Sequence, residues 1–466
     1  MTDVVFIGPS LPAGEVVRLL PDALVLPPVA HGDLLRLDVG PGDRVLIVDG
    51  FFLQHPPVRH REILDLLDRG VTVAGAASMG ALRAAELWPF GMRGVGEVFQ
   101  LYRDGVVTGD DEVAVVHGPA EEGHRTLSEP LVNVRVALRR AVAAGVLDDA
   151  EATLLLEIGR DLPFRQRSYR ALERTAPPGA TDAVHRFLAW HRRDPWDAKS
   201  ADARLLLTMA AAGAPELRPR YAGDQPIDNL HTRFLDSWRA RFAGTPAGGH
   251  WVSDRDLAAV LMLLHPEAPA WHRRGVLAGL AEVDLADPAV EDRAVEAAHR
   301  RGLTGPPPDG WDWLTAAERG LDDREAVLRV LVRAFGTTPY RSLALWMVAA
   351  PLRTPALRDA ARQVAATAAA LNETLVPRTT GHRRPGGRLH FRTEVVDACF
   401  ARLWGCAADG LEAAAWDRGF VDLAAFRYAA EPLVAYVKAV GALRLPAVAG
   451  DRMRENTPAG APARVG

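Results

Sequence analysis

Along the first 120 residues, apolar positions fall into short β-branched runs separated by stretches with helical spacing. Val4–Ile7 and Val45–Val48 are continuous apolar runs and Val71–Ala74 is apolar but for Thr72, the pattern of strands buried on both faces of a parallel sheet. Leu24–Leu26 is a weaker run that stops at Pro27-Pro28, and Val113–Val116 reads as a further strand. Between the runs, Glu15–Leu20 and Arg59–Arg69 read as helices. Ile63, Leu66 and Leu67 give the second one a single buried face, and another helix opens at Ser78. This alternation predicts an α/β domain with a largely parallel sheet.

From about Leu131 the pattern changes to Ala/Leu/Arg/Glu segments with helical spacing. They include Leu131–Ala144, Asp149–Arg160, Ala183–Arg192, Ala201–Ala212, Asp254–Leu264, Val290–Arg301, Arg324–Phe335, Leu357–Leu371, Thr393–Leu403 and Leu433–Leu443. Gly/Pro-rich breaks fall at Gly213–Pro226, Ala243–Gly249, Thr304–Gly310 and Pro377–Gly387. The expected organisation is an α/β core over 1–130, a helical extension over 131–212, an all-helical region over 213–446 and a disordered Gly/Pro/Ala-rich tail over 447–466. The fold class is thus an N-terminal α/β domain followed by a mainly α-helical region.

Composition narrows the function. Across 466 residues, 48% are hydrophobic and 24% charged, an ordinary globular mix, and the net charge of −4 gives no field for nucleic acid. No apolar run reaches membrane-spanning length; the longest, Leu343–Leu352, contains Pro351 and reads as a buried helix. The start of the chain lacks a basic n-region, so cytoplasmic residence is expected. Cys399 and Cys406 lie two helical turns apart, roughly 10 Å, too far to bridge. Lys199 and Lys438 are the only lysines.

The most informative stretch is Gly75-Ala76-Ala77-Ser78-Met79-Gly80-Ala81-Leu82-Arg83-Ala84-Ala85-Glu86-Leu87. A strand delivers Ser78 into a turn of small residues, and a helix follows at once. Free N–H groups and the helix dipole there favour developing negative charge, as an acyl-transfer serine requires. The pattern approximates the G-x-S-x-G elbow with Ala76 at the first glycine. Serine is equally a favoured N-cap, so both readings stay open. Arg83 and Glu86 share a helix face with Met79, either to hold a carboxylate or as an ordinary ion pair. His60, opening the preceding helix, is a candidate general base or a solvated histidine. Asp110-Asp111-Glu112 with His117 offers a docking site for a basic partner, but has no metal-ligand spacing, so no metal is expected. Asp49 and Gly80 complete a cleft expected at the strand C-termini, shared with Ser78, Arg83 and Asp111.

Together these motifs resemble the TfuA-like family. The resemblance is carried by Val5-Phe6-Ile7-Gly8-Pro9-Ser10, Asp49-Gly50-Phe51-Phe52 with Gln54 and Pro56, and Val58 through Leu64. Its most specific part is Ser78 through Glu86 followed by Gly91-Met92-Arg93-Gly94-Val95-Gly96. Tyr102 with Asp104-Gly105, Asp110–Ala114, His117 and Leu127–Arg135 follow in the family's order. The resemblance implies a partner of a YcaO-type enzyme, which itself uses ATP and Mg, in thioamidation of ribosomal peptides. It implies sulfur release from a thiocarboxylated ThiS-like carrier protein and contact with a precursor peptide, with no cofactor bound by this chain. The family's activity is attributed to a Ser–Lys pair. The serine falls on Ser78, but no lysine precedes Lys199 and Arg61 follows His60, which leaves His60 or His117 as the base. The alternatives are a non-catalytic adaptor for the YcaO enzyme and its peptide, and a stand-alone α/β serine esterase.

Overall fold

Five short strands build one parallel sheet: β1 (Asp3–Phe6), β2 (Leu24–Leu26), β3 (Arg44–Ile47), β4 (Thr72–Ala76) and β5 (Arg93–Val95), in the order β2-β1-β3-β4-β5. This is the 2-1-3-4-5 order of a flavodoxin-like, doubly wound sheet, whose direction of winding reverses between β1 and β3. The computed structural model describes residues 1–52, 55–217, 227, 230, 232–303, 305, 312–334, 354–379 and 390–440. The predicted tail, Leu343–Leu352, Gln54 and most of the breaks at 213–226, 304–310 and 377–387 lie outside the described residues. The chain divides into two units, Met1–Arg239 and Ala240–Gly466.

The three strong apolar runs are strands because each must fill two cores. Val4, Phe6, Val45, Ile47 and Val73 point to one side, where α2 (His60–Asp68) and α3 (Met79–Leu87) contribute Ile63, Leu66, Met79 and Leu82. Val5, Ile7, Leu46, Val48, Ala74 and Ala76 point to the other, against Val16 of α1 (Ala13–Leu19). That second face is also covered by Ala203, Leu206, Leu207 and Ala210, from a helix over Ala198–Ala211. The sheet therefore needs residues far beyond 130 to bury its second face.

The remaining helices of this unit are α4 (Glu97–Arg103), α5 (Leu131–Ala143), α6 (Asp149–Asp161), α7 (Tyr169–Thr175) and α8 (Thr181–His191), with Ala198–Ala211 as α9. Two expectations need correction. Val113–Val116 is not a strand, although Val113 and Ala114 are buried. Its backbone is satisfied elsewhere: the Val113 carbonyl accepts from Lys199 Nζ at 2.9 Å, and the Val116 N–H donates to Ser128 Oγ at 2.8 Å. Conversely, β5 is not legible in the sequence, because Gly94 interrupts its apolar character. A Cβ there would lie 2.1 Å from the Phe99 ring.

The second unit is mainly helical around a core that includes Leu261, Phe400, Phe420, Phe426 and Val434. It is not wholly helical, since the break at Ala243–Gly249 belongs to a hairpin of β6 (Gly244–Ala247) and β7 (His250–Ser253). Gly248 and Gly249 form the two-residue loop, with φ of +55° and +82°. Positive φ at both central positions is the requirement of a type I′ turn, whose twist matches the strands it joins. Buried Arg333 is held between Glu318 and Asp417. Both cysteine thiols are free, and burial pushes both above their ordinary pKa.

Candidate functional site

The loops leaving β1, β3 and β4 converge at the C-terminal end of the sheet, beside the reversal between β1 and β3, where open α/β sheets bind ligands. A cavity of about 260 Å³ opens there, lined by Pro9, Pro28, Asp49, Gly50, Ser78 and the chain from Val113 to His117, with Phe51, Phe52, Phe164 and Arg165. The lining is mostly apolar with a few polar groups, the composition of a small-ligand site.

Ser78 is 3% exposed and sits at the N-cap of α3, yet its hydroxyl does not cap the helix. The turn that delivers it is strained: Ala77 has φ of +66°, and the Ser78 N–H donates to the Ala76 carbonyl at 2.7 Å, closing a γ-turn. Such a non-glycine conformation costs roughly 1–3 kcal/mol and persists only when its surroundings enforce it. Gly80 is what enforces it. A Cβ on Gly80 would lie 1.7 Å from the Ile47 carbonyl oxygen, so only glycine lets α3 press its first turn onto β3. In that position the Gly80 N–H donates to the Val48 carbonyl at 3.2 Å.

Asp49 is 1% exposed and fully committed. Its Oδ2 accepts the N–H groups of Gly8 (2.9 Å) and Ser10 (3.0 Å), and its Oδ1 accepts the Ser10 hydroxyl at 2.6 Å. It thereby ties the loop after β1 to the loop after β3 and shapes the cavity floor. His117 lines the same cavity; its Nδ1 lies 2.8 Å from the Gly118 carbonyl oxygen, which can only accept, so Nδ1 carries a proton. Its ring packs edge-on against His124 at 5.2 Å, and burial pushes the His124 imidazole below its ordinary pKa.

The other predicted site residues lie elsewhere. His60 Nε2 is 2.8 Å from Glu86 Oε2, and Glu86 is eight residues beyond Ser78, about 12 Å along α3. Arg83 donates to the same carboxylate at 2.5 Å and to the Val58 carbonyl at 3.3 Å. Burial works to raise the Glu86 pKa, but hydrogen bonds from His60 and Arg83 hold it below its usual range. Arg61 donates to the Leu230 carbonyl at 3.2 Å. Asp110 is exposed, Asp111 faces Arg167 at 3.4 Å, and buried Glu112 forms a two-bond pair with Arg135 at 2.5 and 3.2 Å. Of the expected cleft, Ser78 and Asp49 line this cavity with His117, and Gly80, Arg83 and Asp111 are not among its lining residues. Arg83 and Glu86 instead lock α3 to α2, as an i, i+3 pair does.

Lys199 is the residue that sequence reasoning passed over. It sits in the first turn of α9, 3% exposed, and its Nζ donates to the carbonyl of Val113 in the cavity wall. Burial pushes its pKa down, opposed by the charges of Asp49, Asp197 and Glu129. A lysine with depressed pKa beside a cavity has the profile of a proton acceptor only where geometry supports it; here its Nζ reaches the Val113 carbonyl of the cavity that Ser78 also lines. The available signal is its rarity: one of two lysines among many arginines.

Fold and site define a doubly wound α/β protein with a serine at a strained strand-to-helix turn and a buried lysine behind the cavity wall. Residues 49–168 match the model of the family described as TfuA-like protein, which that stretch resembles. That family is associated with YcaO-type thioamidation. The matched stretch contains Asp49, Ser78 and His117 but not β1, β2 or Lys199. No curated protein matches the chain. Among the described residues, no His, Cys, Asp or Glu cluster has the makings of a metal site, and no helix is long and apolar enough to cross a membrane.

Proposed function

We propose that the chain releases sulfur for a YcaO-type enzyme by hydrolysing a thiocarboxylated ThiS-like carrier protein, with Ser78 as nucleophile and Lys199 as its base. The observation that carries this reading is the uncapped Ser78 on the same cavity whose wall, at the Val113 carbonyl, is reached by Lys199 Nζ. Ser78 Oγ attacks the thiocarboxylate carbon as Lys199 takes the hydroxyl proton. The first turn of α3 stabilises the oxyanion. The C–S bond then breaks, the proton passes to sulfur, and HS⁻ leaves. Water cleaves the resulting ester to a carboxylate, restores the Ser78 hydroxyl and leaves one proton in solution. In its neutral form His117, on the same cavity, has Nε2 as an acceptor, which suits the activation of that water. The apolar lining keeps the cavity dry enough for these charges to act strongly.

The test is sulfide release from the thiocarboxylated carrier by the full-length wild type, Ser78→Ala and Lys199→Met, with binding of the co-encoded YcaO enzyme measured in parallel. Both substitutions should reduce release at least a hundredfold and leave binding of the YcaO enzyme intact. Equal release by all three proteins refutes catalysis and leaves an adaptor.

A further inference from the structure

Three carboxylates act on Lys199, and they are held in different ways. Asp49 accepts two backbone N–H groups and the Ser10 hydroxyl. Asp197 is exposed and caps α9 by accepting from the Ser200 N–H at 2.9 Å. Glu129 has neither kind of support: among the described residues its carboxylate accepts one hydrogen bond, from Asn133 Nδ2 at 3.0 Å. The other end of that amide, Asn133 Oδ1, accepts the backbone N–H of Lys199 at 3.3 Å. Glu129 and Lys199 thus grip opposite ends of a single asparagine, α5 supplying the amide and α9 the lysine. Tyr169, on α7, is electrostatically coupled to Glu129 and Asp197, and its buried hydroxyl makes no hydrogen bond among the described residues.

We propose that Glu129 is a positioning residue that sets the charge of Lys199. As a carboxylate it holds the ammonium form; as a carboxylic acid it frees the lysine to be neutral. The chemistry follows from the donors. A carboxylate accepting several N–H bonds stays ionised, whereas one given a single neutral amide in a partly buried site readily takes a proton. Glu129, given one neutral amide donor, is a carboxylate of the second kind. Burial pushes the Glu129 carboxyl up to about 7, against the Asn133 bond, while burial lowers Lys199. Tyr169 stays neutral, because burial raises its pKa far out of range.

The inference rests on the Ser78–Lys199 reading for its consequence in catalysis, but the proton linkage is measured without turnover. Lys438 is exposed, so full-length Lys438→Arg leaves Lys199 as the single lysine, and carbon-13 labelling of lysine then gives one titrating side-chain signal. Adding Glu129→Gln keeps an acceptor for Asn133 and removes the charge; the Lys199 midpoint should fall by about one pH unit or more. Glu129→Asp, which keeps the charge, should hold the midpoint closer to the parent. Coincident midpoints in parent and Glu129→Gln overturn the proposal. A shifted midpoint with sulfide release insensitive to Lys199→Met upholds the linkage and removes Lys199 from catalysis.

Discussion

Replacing Gly80 by alanine tests whether α3 is held in place by direct backbone contact. The added methyl would lie 1.7 Å from the Ile47 carbonyl oxygen and 2.6 Å from its carbon. A tolerable C···O contact is about 3.3 Å, so α3 must retreat by about 1.5 Å. That retreat breaks the hydrogen bond from the Gly80 N–H to the Val48 carbonyl. Overpacking a tight contact costs about 1–3 kcal/mol, and leaving a buried carbonyl unpaired costs about as much again. A unit of this size loses about 2–4 °C in melting temperature per kcal/mol, so the N-terminal unit should melt on the order of 10 °C lower. Ser78 lies two residues upstream and moves with the helix, and a displacement of this size costs about a hundredfold in rate. Calorimetry on the full chain measures the first effect, with amide exchange in β3 and β4 assigning the transition to this unit. Gly14→Ala is the control: nothing lies within 4 Å of its added methyl, and it should be neutral or slightly stabilising. If Gly80→Ala melts within a degree of wild type, the close-approach argument fails.

Other consequences can be checked alongside. Glu112→Gln leaves Arg135 buried without its counter-charge, both side chains being 8% exposed, and should cost about 3–5 kcal/mol by urea denaturation. A loss below about 1 kcal/mol would show that water reaches the pair. In the second unit, burial works to raise the Glu318 carboxyl, but bonds from Arg333 and the Thr315 N–H hold it down at about 2. A depressed carboxyl stabilises fully above its unfolded value of 4.5 and loses that contribution as pH falls toward 2. The acid branch of the second unit's melting curve should therefore shallow in Glu318→Gln and stay steep in wild type. The N-terminal unit has the opposite sign at Glu129. Its contribution is full below 4.5 and fades as pH rises through about 7, so Glu129→Gln should flatten the neutral-pH decline in that unit's melting temperature.

Much of the local order is visible along the chain. Val4–Ile7 and Val45–Val48 are recognisable because a strand buried on both faces carries an unbroken apolar run, and Val71–Ala74 because its one polar residue, Thr72, is β-branched. Ser78 stands out because small residues flank it on both sides and a helix former comes next. The hairpin at Gly244–Ser253 escapes notice because its residues (Gly, Thr, Pro, Ala) carry no strand-like pattern, although Gly248-Gly249 marks its turn. Val113–Val116 misleads for the converse reason. Its residues are apolar because they are buried against the site, and burial alone does not say whether the backbone pairs with a strand or with a lysine.

The sequence by itself determined the parallel α/β core, the helical character of the rest of the chain and the serine at the strand-to-helix turn, because each depends on residues within a few positions of one another. Only the tertiary structure decided what surrounds that serine. It carried His60 to the far end of α3, paired Glu112 and Asp111 with arginines, and brought Lys199 and Glu129 together across α5 and α9. A helix more than a hundred residues downstream completes the sheet's second face because β3 and β4 must bury both of their sides, and that requirement, which no local pattern encodes, is what brings Lys199 to the Val113 carbonyl.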